Sequence, residues 1–291
     1  MKNLLYLLAT LIFPLTSAVS QNKENSSPFR IVIIQPSEKG STQEALPAMQ
    51  EFAKALSKLS QLPIQAIYFN QEKKALQYIH KKKPHLAILS FPFFLKYKQT
   101  FHLQPHLQVK FNQTIQKKYF IFVHKKSPFH SLSDLKNKTI VSNHLYEAEF
   151  LSLLFFSQKN YLQKHYKLKP TRRTLRALRY LTRQKKYHAI VLDNYQLKQL
   201  QKPIFSKYLQ KLRPIASSPP IPSSPVASFG TPTPQIQKIL LALSSLQKLP
   251  KGKKILRLFG IEAFVPIKKN LFSKAQKLWL VHLYPKKGEE K

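Results

Sequence analysis

The sequence predicts an α/β protein of two lobes, each with a mostly parallel sheet flanked by helices. Two stretches, residues 29–89 and 119–192, alternate apolar strand-like runs with helix-like runs. A segment rich in proline and serine, residues 213–234, follows them and cannot be helical. With 291 residues, the chain is long enough to build two modest hydrophobic cores.

The first stretch predicts three strands and two helices. Short apolar runs predict strands over residues 29–35, 64–69 and 86–89, and apolar residues at helical spacing predict helices over 43–59 and 73–80. This β-α-β-α-β order calls for a mainly parallel sheet covered by helices. In such an open sheet a ligand binds at the carboxyl ends of the strands.

The second stretch repeats the pattern. Strands are predicted over residues 119–124, 139–142 and 189–192, and helices over 146–156 and 171–185. The strand and helix around residue 142 are joined by a polar loop. The first N–H groups of a helix lack internal partners, so an anion can bind at such a junction, although an ordinary connection has the same pattern.

The remaining segments are less regular. Residues 93–116 predict an irregular connection, and residues 213–234 predict a crossing between the lobes. Two helices over 235–246 and 251–259, with a possible third over 272–280, complete the chain.

The amino terminus has the layout of a secretory signal. Lys2 precedes an apolar run and then small residues, so we predict a signal over residues 1–20, cleaved after Ala18 or Ser20. The chain contains no cysteine, which excludes disulfides and leaves no site for a lipid-modified cysteine. We therefore expect a periplasmic or secreted protein.

The chain is strongly basic, with 49 Lys and Arg against 12 Asp and Glu. Such a charge can attract nucleic acid or acidic membrane surfaces. The lysines are spread along the chain, however, so a general surface bias is favoured and no specific nucleic-acid partner is expected. Four arginines predicted on one helical face are expected to be solvated: Arg172, Arg176, Arg179 and Arg183.

Several enzyme and metal-site classes are disfavoured. The five glycines do not form a phosphate-cradling loop, and we find no nucleophile elbow, carboxylate pair or H-E-x-x-H motif. We therefore predict a protein without enzymatic activity, metal or cofactor.

Polar residues near the predicted strand ends and in the crossing segment are the candidate ligand contacts. Hydroxyl and N–H groups suit an oxyanion because they bind it without burying a charge pair. The alternative for each residue is loop capping, and Asp193 fits a ligand amine or a structural turn about equally well. The candidates are Ser37, Ser90, Ser142, Asn143, His144, Asp193, Asn194, Tyr195, Ser217 and Ser218.

Five strings in this order resemble the periplasmic solute-binding proteins of ABC transporters, in particular the phosphate/phosphite/phosphonate-binding family. They are KPHLAILSFPFF, SLSDLKNKTIV, KKYHAIVLDNYQL, LRPIASSPPIPSSPVA and LQKLPKGKKILRLFGIEAFVPI. The resemblance implies two lobes joined by crossing strands, hinge closure on a ligand, and a permease and ATPase as partners. After a linker at 21–28, lobe 1 is predicted to comprise residues 29–110 and 226–291, and lobe 2 residues 111–225.

The family's ligand positions match this sequence in part. The Ser/Thr-rich turn that phosphonate-binding members carry reads SNHLYEAEF here, which leaves Ser142 and Asn143 as donors. Glu147 and Glu149 follow them and would repel a dianion. Asp193 matches the acidic residue that the family places at the last strand of lobe 2.

Together these observations predict an exported, monomeric binding protein for a small anionic or zwitterionic ligand, taken up by an ABC transporter. Two alternatives stay open at this point. One is a degenerate sensory or interaction module of the same fold, and the other is a basic surface protein that binds polyanions.

Overall fold

The computed structural model describes residues 27–183 and 186–283. They form two lobes, one on a six-stranded sheet and the other on a five-stranded sheet, both flanked by helices. The predicted two-lobed α/β class is therefore confirmed. The predicted signal over residues 1–20 lies outside the described residues. Within the described residues, no helix combines the length and apolarity that spanning a bilayer requires.

The elements run as follows from the amino terminus to the first crossing: β1 (Phe29–Ile34), α1 (Thr42–Ser60), β2 (Ile64–Phe69), α2 (Glu72–Lys82), β3 (Leu86–Leu89), α3 (Phe91–Tyr97), β4 (Leu103–Lys110), β5 (Gln116–Lys117). The second lobe contains β6 (Tyr119–His124), β7 (Thr139–Ser142), α4 (Ala148–Phe156), α5 (Tyr161–His165), β8 (Lys167–Pro170), α6 (Thr174–Thr182), β9 (Ala189–Asp193), α7 (Asn194–Leu200), α8 (Pro203–Leu209), β10 (Leu212–Ser217). The chain then returns through β11 (Ile221–Pro222), β12 (Pro225–Phe229), α9 (Pro234–Ser245), α10 (Pro250–Leu258), β13 (Ala263–Pro266), α11 (Lys269–Leu283).

Each sheet has a parallel part and an antiparallel part. In lobe 1 the order is β13-β4-β12-β3-β1-β2, with β1 parallel to both β2 and β3. In lobe 2 the order is β10-β6-β9-β7-β8, with β7 parallel to both β8 and β9. The antiparallel strands lie on the side of each sheet where the chain crosses between lobes.

The two crossings pair with each other. Strand β5 runs from lobe 1 to lobe 2, β11 returns, and Ile221 lies opposite Lys117 in this short antiparallel pair. The crossing strands therefore place the Lys117 side chain between the lobes. The predicted crossing over residues 213–234 holds most of β10 and the whole of β11 and β12, whose bounds the proline content concealed.

The predicted irregular connection over residues 93–116 is wrong. It holds most of α3, where Pro92 stands in the first turn and Ser90 caps the helix, and it holds the whole of β4. The proline inside β4, Pro105, is tolerated because it lies at a register shift opposite Ala227.

An apolar seam also joins the lobes, formed by Phe91, Phe150, Phe272 and Trp279. Phe272 of α11 packs edge-on against Phe91 of lobe 1 at 5.5 Å between ring centroids. Trp279 of the same helix packs against Phe150 of lobe 2 at 5.7 Å, and Phe91 and Phe150 contact each other at 6.3 Å. The seam lies within one hydrophobic cluster with residues of both lobes, so α11 stabilises their arrangement relative to each other.

Candidate functional site

The carboxyl ends of the parallel strands face each other across a polar space, here called the interlobe gap. Ser37 and Ser90 follow β1 and β3 on the lobe 1 side, and His144 and Glu147 follow β7 on the lobe 2 side. Lys117 of the crossing strand lies between them. The full lining is Gln35, Ser37, Glu38, Ser90, Phe91, Pro92, Lys117, Tyr119, His144, Glu147, Ile221, Pro222 and Ser224. About 10 Å³ of space is left free, which is roughly the room for one water molecule.

A buried ion pair stands on the lobe 2 side of the gap. Lys117 Nζ lies 3.2 Å from Asp193 Oδ2, and the two side chains are 17% and 3% exposed. Burial is the largest single influence and would raise the pKa of Asp193, but the Lys117 charge, His144 and the hydrogen bond from the Gln196 N–H together hold that pKa below its ordinary value. Burial is likewise the largest influence on Lys117 and opposes its charge, yet Asp193, Tyr119, Glu38 and Tyr195 together raise the pKa of Lys117 above its ordinary value. Both groups are therefore charged at neutral pH.

His144 extends this pair into a network. Its Nε2 lies 3.0 Å from Gln196 Oε1 and 3.4 Å from Asp193 Oδ2. Burial lowers the pKa of His144 to about 4, so the ring is neutral and its Nε2–H donates to Gln196. Asp193 Oδ1 accepts from the Gln196 N–H at 2.8 Å, which caps α7. This arrangement fixes the lobe 2 side without any group from lobe 1.

Two side chains of lobe 2 donate to the backbone of lobe 1. Asn143 Nδ2 donates to the Ser37 carbonyl at 3.0 Å. The Arg172 guanidinium donates to the Pro36 carbonyl at 2.8 Å and to the Asn70 carbonyl at 2.6 Å. It also stacks on the half-exposed Tyr146 ring, 3.8 Å from its centroid.

The prediction that Arg172 lies on a solvated helical face is therefore wrong. The predicted helix over 171–185 begins at Thr174 in the structure, so Arg172 precedes it and can turn toward lobe 1. Residues 184–185, at the end of that prediction, lie outside the described residues.

Glu147 reaches across the gap from lobe 2 to lobe 1. Ser37 Oγ donates to its Oε2 at 2.7 Å, and Ser90 Oγ donates to its Oε1. Burial raises the pKa of Glu147 above its ordinary value, although the two hydroxyls act in the opposite direction. One carboxylate thus takes the hydroxyl hydrogens of both lobe 1 candidates.

The other predicted contacts lie around the gap in different roles. Ser142 donates to the Val191 carbonyl at 2.7 Å inside lobe 2. Asn194 Nδ2 and the Tyr195 hydroxyl both donate to the Gln116 carbonyl, which holds strand β5 in place. Ser218 Oγ accepts from the Tyr119 N–H at 2.9 Å. Ser217 is exposed at the end of β10 and is not part of the lining.

Sequence reasoning missed two residues that line the interlobe gap, Lys117 and Glu147. No local pattern distinguishes Lys117 from the other lysines of this basic chain. Glu147 was expected to repel a ligand, whereas in the structure it bridges the lobes. A usable signal was the scarcity of acids: of 12 Asp and Glu residues in this basic chain, Glu38, Glu147 and Asp193 all follow predicted strand ends. The site can hold an acid group through neutral hydroxyls beside a paired ammonium. Within the described residues no group of three or more His, Asp or Glu side chains is placed to hold a metal ion.

Comparison with protein-family models gives one match over residues 35–272, to the periplasmic substrate-binding protein of phosphonate ABC transporters. The comparison with curated proteins gives no match.

Solved structures of the same architecture are similar at low sequence identity. A Xanthomonas citri protein bound to chloride ion has a TM-score of 0.67 at 16% identity, covering 87% of this chain and 96% of that one. A binding protein component of an ABC phosphonate transporter from Pseudomonas aeruginosa has a TM-score of 0.66 at 15% identity, covering 88% and 87%. A Prochlorococcus marinus protein in complex with methylphosphonate has a TM-score of 0.62 at 15% identity, covering 87% and 97%.

Proposed function

The chain belongs to the family of periplasmic substrate-binding proteins of phosphonate ABC transporters, and on that premise we propose that it captures a small oxyanion-bearing solute in the interlobe gap. The resemblance noted in the sequence is thereby confirmed, and the family is one of binding proteins rather than enzymes. The proposed solute is anionic or zwitterionic. The protein, a monomer, delivers it to the permease and ATPase of an inner-membrane transporter.

One observation carries the proposal. Ser37 and Ser90 follow adjacent parallel strands and direct their hydroxyls at one acid group between the lobes. Neutral hydroxyls are suited to an oxyanion because binding them does not require a second charge to be desolvated. Lys117 adds positive charge to the same lining. We propose that the other predicted contacts surround or support this position.

The proposed location is the periplasm, since residues 1–20 have the layout of an export signal and the family is periplasmic. The family match does not favour the two alternatives, a degenerate sensory or interaction module and a polyanion-binding surface protein.

Thermal unfolding of the purified protein with phosphate, phosphite, methylphosphonate and sulfate tests the proposal. We expect at least one anion to raise the Tm by several degrees, because a ligand at about 100 times its Kd stabilises by about 2.7 kcal/mol. Repeating the panel at two salt concentrations separates the gap from the basic surface, where screening weakens binding steeply. A flat response to the whole panel contradicts capture of this ligand class.

A further inference from the structure

The acid group that occupies the two lobe 1 hydroxyls comes from the protein itself. Ser37 Oγ and Ser90 Oγ each donate to a different oxygen of Glu147. A serine hydroxyl has one hydrogen to donate, so neither can donate to a solute while this arrangement holds. The two carboxylate oxygens of Glu147 accept from these hydroxyls. A solute with a carboxylate, phosphate or phosphonate group would present a similar pair of oxygens to them.

The surroundings of Glu147 leave no space for a solute beside it. The gap has room for about one water molecule. The charged and titratable groups acting on Glu147 are Lys117 and Glu72, and Tyr119 of β6 lines the same space. Among the described residues, Lys117 forms its ion pair with Asp193 at 3.2 Å, and no ion pair joins it to Glu147. The serine hydroxyls are the direct polar contacts of this carboxylate across the gap.

We propose that Glu147 is an internal occupant of the oxyanion position, bound to Ser37 and Ser90 in the closed protein and displaced when a solute's acid group binds. This inference rests on the proposed function of solute capture. Glu147 stabilises closure without a solute and lowers the affinity for every oxyanion. A solute is therefore selected by its ability to bind the two hydroxyls better than a tethered carboxylate does.

Glu147→Ala tests this by vacating the position. The substitution removes the same heavy atoms that acetate contains, so acetate can take the place of the missing group. We expect acetate and methylphosphonate to bind the variant at least about tenfold more tightly than the wild type in calorimetric titrations, which corresponds to about 1.4 kcal/mol. Acetate should also raise the Tm of the variant and leave that of the wild type unchanged.

Glu149→Ala is the matched control. Glu149 lies in the first turn of α4, two residues further along, and pairs with Lys159 at 3.1 Å outside the gap. The Glu149→Ala substitution removes a carboxyl group from the same end of α4. It therefore reports how the loss of an acidic group from this part of lobe 2 changes anion binding. Its affinity for both anions should stay within about twofold of wild type. Glu147→Gln, which keeps the side-chain volume, provides a second variant and should give a smaller gain of the same sign.

The outcomes separate this inference from the proposed function. Equal anion affinities in wild type and both Glu147 variants overturn the inference and leave solute capture standing. Weaker anion binding in the Glu147 variants also overturns it, because Glu147 would then assist anion binding rather than compete with it. If the wild type binds no anion and Glu147→Ala does, the proposed role of Glu147 as an internal occupant stands. The proposal that the wild-type protein captures these anions is then contradicted. If neither protein binds any anion, both proposals fall.

Discussion

The two sides of the interlobe gap satisfy their polar groups in different ways. On the lobe 2 side, Asp193, His144 and Gln196 bond one another and the crossing-strand Lys117. On the lobe 1 side, Ser37 and Ser90 donate to Glu147 across the gap. The first set involves only lobe 2 and the crossing strand, whereas the second set joins the two lobes.

Under the proposed function, this difference indicates on which side of the gap a solute would exchange. The polar groups on the lobe 2 side bond one another and Lys117, so opening the gap does not require these contacts to break. Serine hydroxyls that lose Glu147 can bond to water instead, at a net cost of about 1 kcal/mol each. The lobe 1 side is therefore the side on which one acid group can replace another.

Breaking the lobe 2 side should give the largest effect. Lys117→Met leaves Asp193 buried without its cation, and removing one partner of a buried pair costs about 3–5 kcal/mol. We expect the free energy of unfolding in urea to fall by about 4 kcal/mol, and the pKa of Asp193 to rise because burial would then be opposed only by His144 and the Gln196 N–H. Lys110→Met is the control.

Lys110 lies 2.8 Å from Glu262, closer than the Lys117 pair, but both of its groups are substantially exposed. Its loss should cost less than about 1 kcal/mol. Similar losses in the two variants would show that the lobe 2 pair does not act as a buried ion pair.

The same side should also respond to acid through His144. The pKa of His144 is lowered to about 4, first of all by burial, while an unfolded histidine has its ordinary pKa of 6.5. Protons therefore bind the unfolded chain first, and stability attributable to His144 is lost as the pH falls from 6.5 toward 4. Relative to His144→Gln, the wild type should lose about 3 kcal/mol of unfolding free energy between pH 7 and pH 4. Urea unfolding across this range measures it, and parallel curves for the two proteins would contradict a buried neutral imidazole.

Local sequence pattern predicted much of the frame that holds these two sides. The strands β2, β3, β6 and β7 have the predicted bounds because each is a short apolar run between polar residues. Strand β4 escaped prediction because Pro105 interrupts its pattern and a register shift against β12 accommodates it. That compensation lies more than a hundred residues away in sequence, so no local window contains it.

For the site, the location of its residues was predictable from the sequence, whereas their contacts were not. The rule that ligands bind at carboxyl ends of strands placed Ser37, Ser90 and Asp193 near one another, and the structure has all three at or directly behind the gap. What those groups contact was not predictable, because Glu147 lies 110 residues from Ser37. Charge patterning treats Glu147 and Glu149 alike, and only lobe closure separates their roles.

The smallest expected effect isolates the exchangeable side by comparing two buried serines. Ser37 donates to Glu147 across the gap, whereas Ser142 donates to the Val191 carbonyl and accepts from the His144 N–H inside lobe 2. In double-mutant cycles on urea unfolding, Ser37→Ala and Glu147→Ala should couple by about 1 kcal/mol, the usual net contribution of one hydrogen bond. Ser142→Ala and Glu147→Ala should couple by less than about 0.5 kcal/mol, because they share no hydrogen bond. Equal coupling in the two cycles would mean that Glu147 is held by lobe 2 itself, and the contrast between the two sides would not survive.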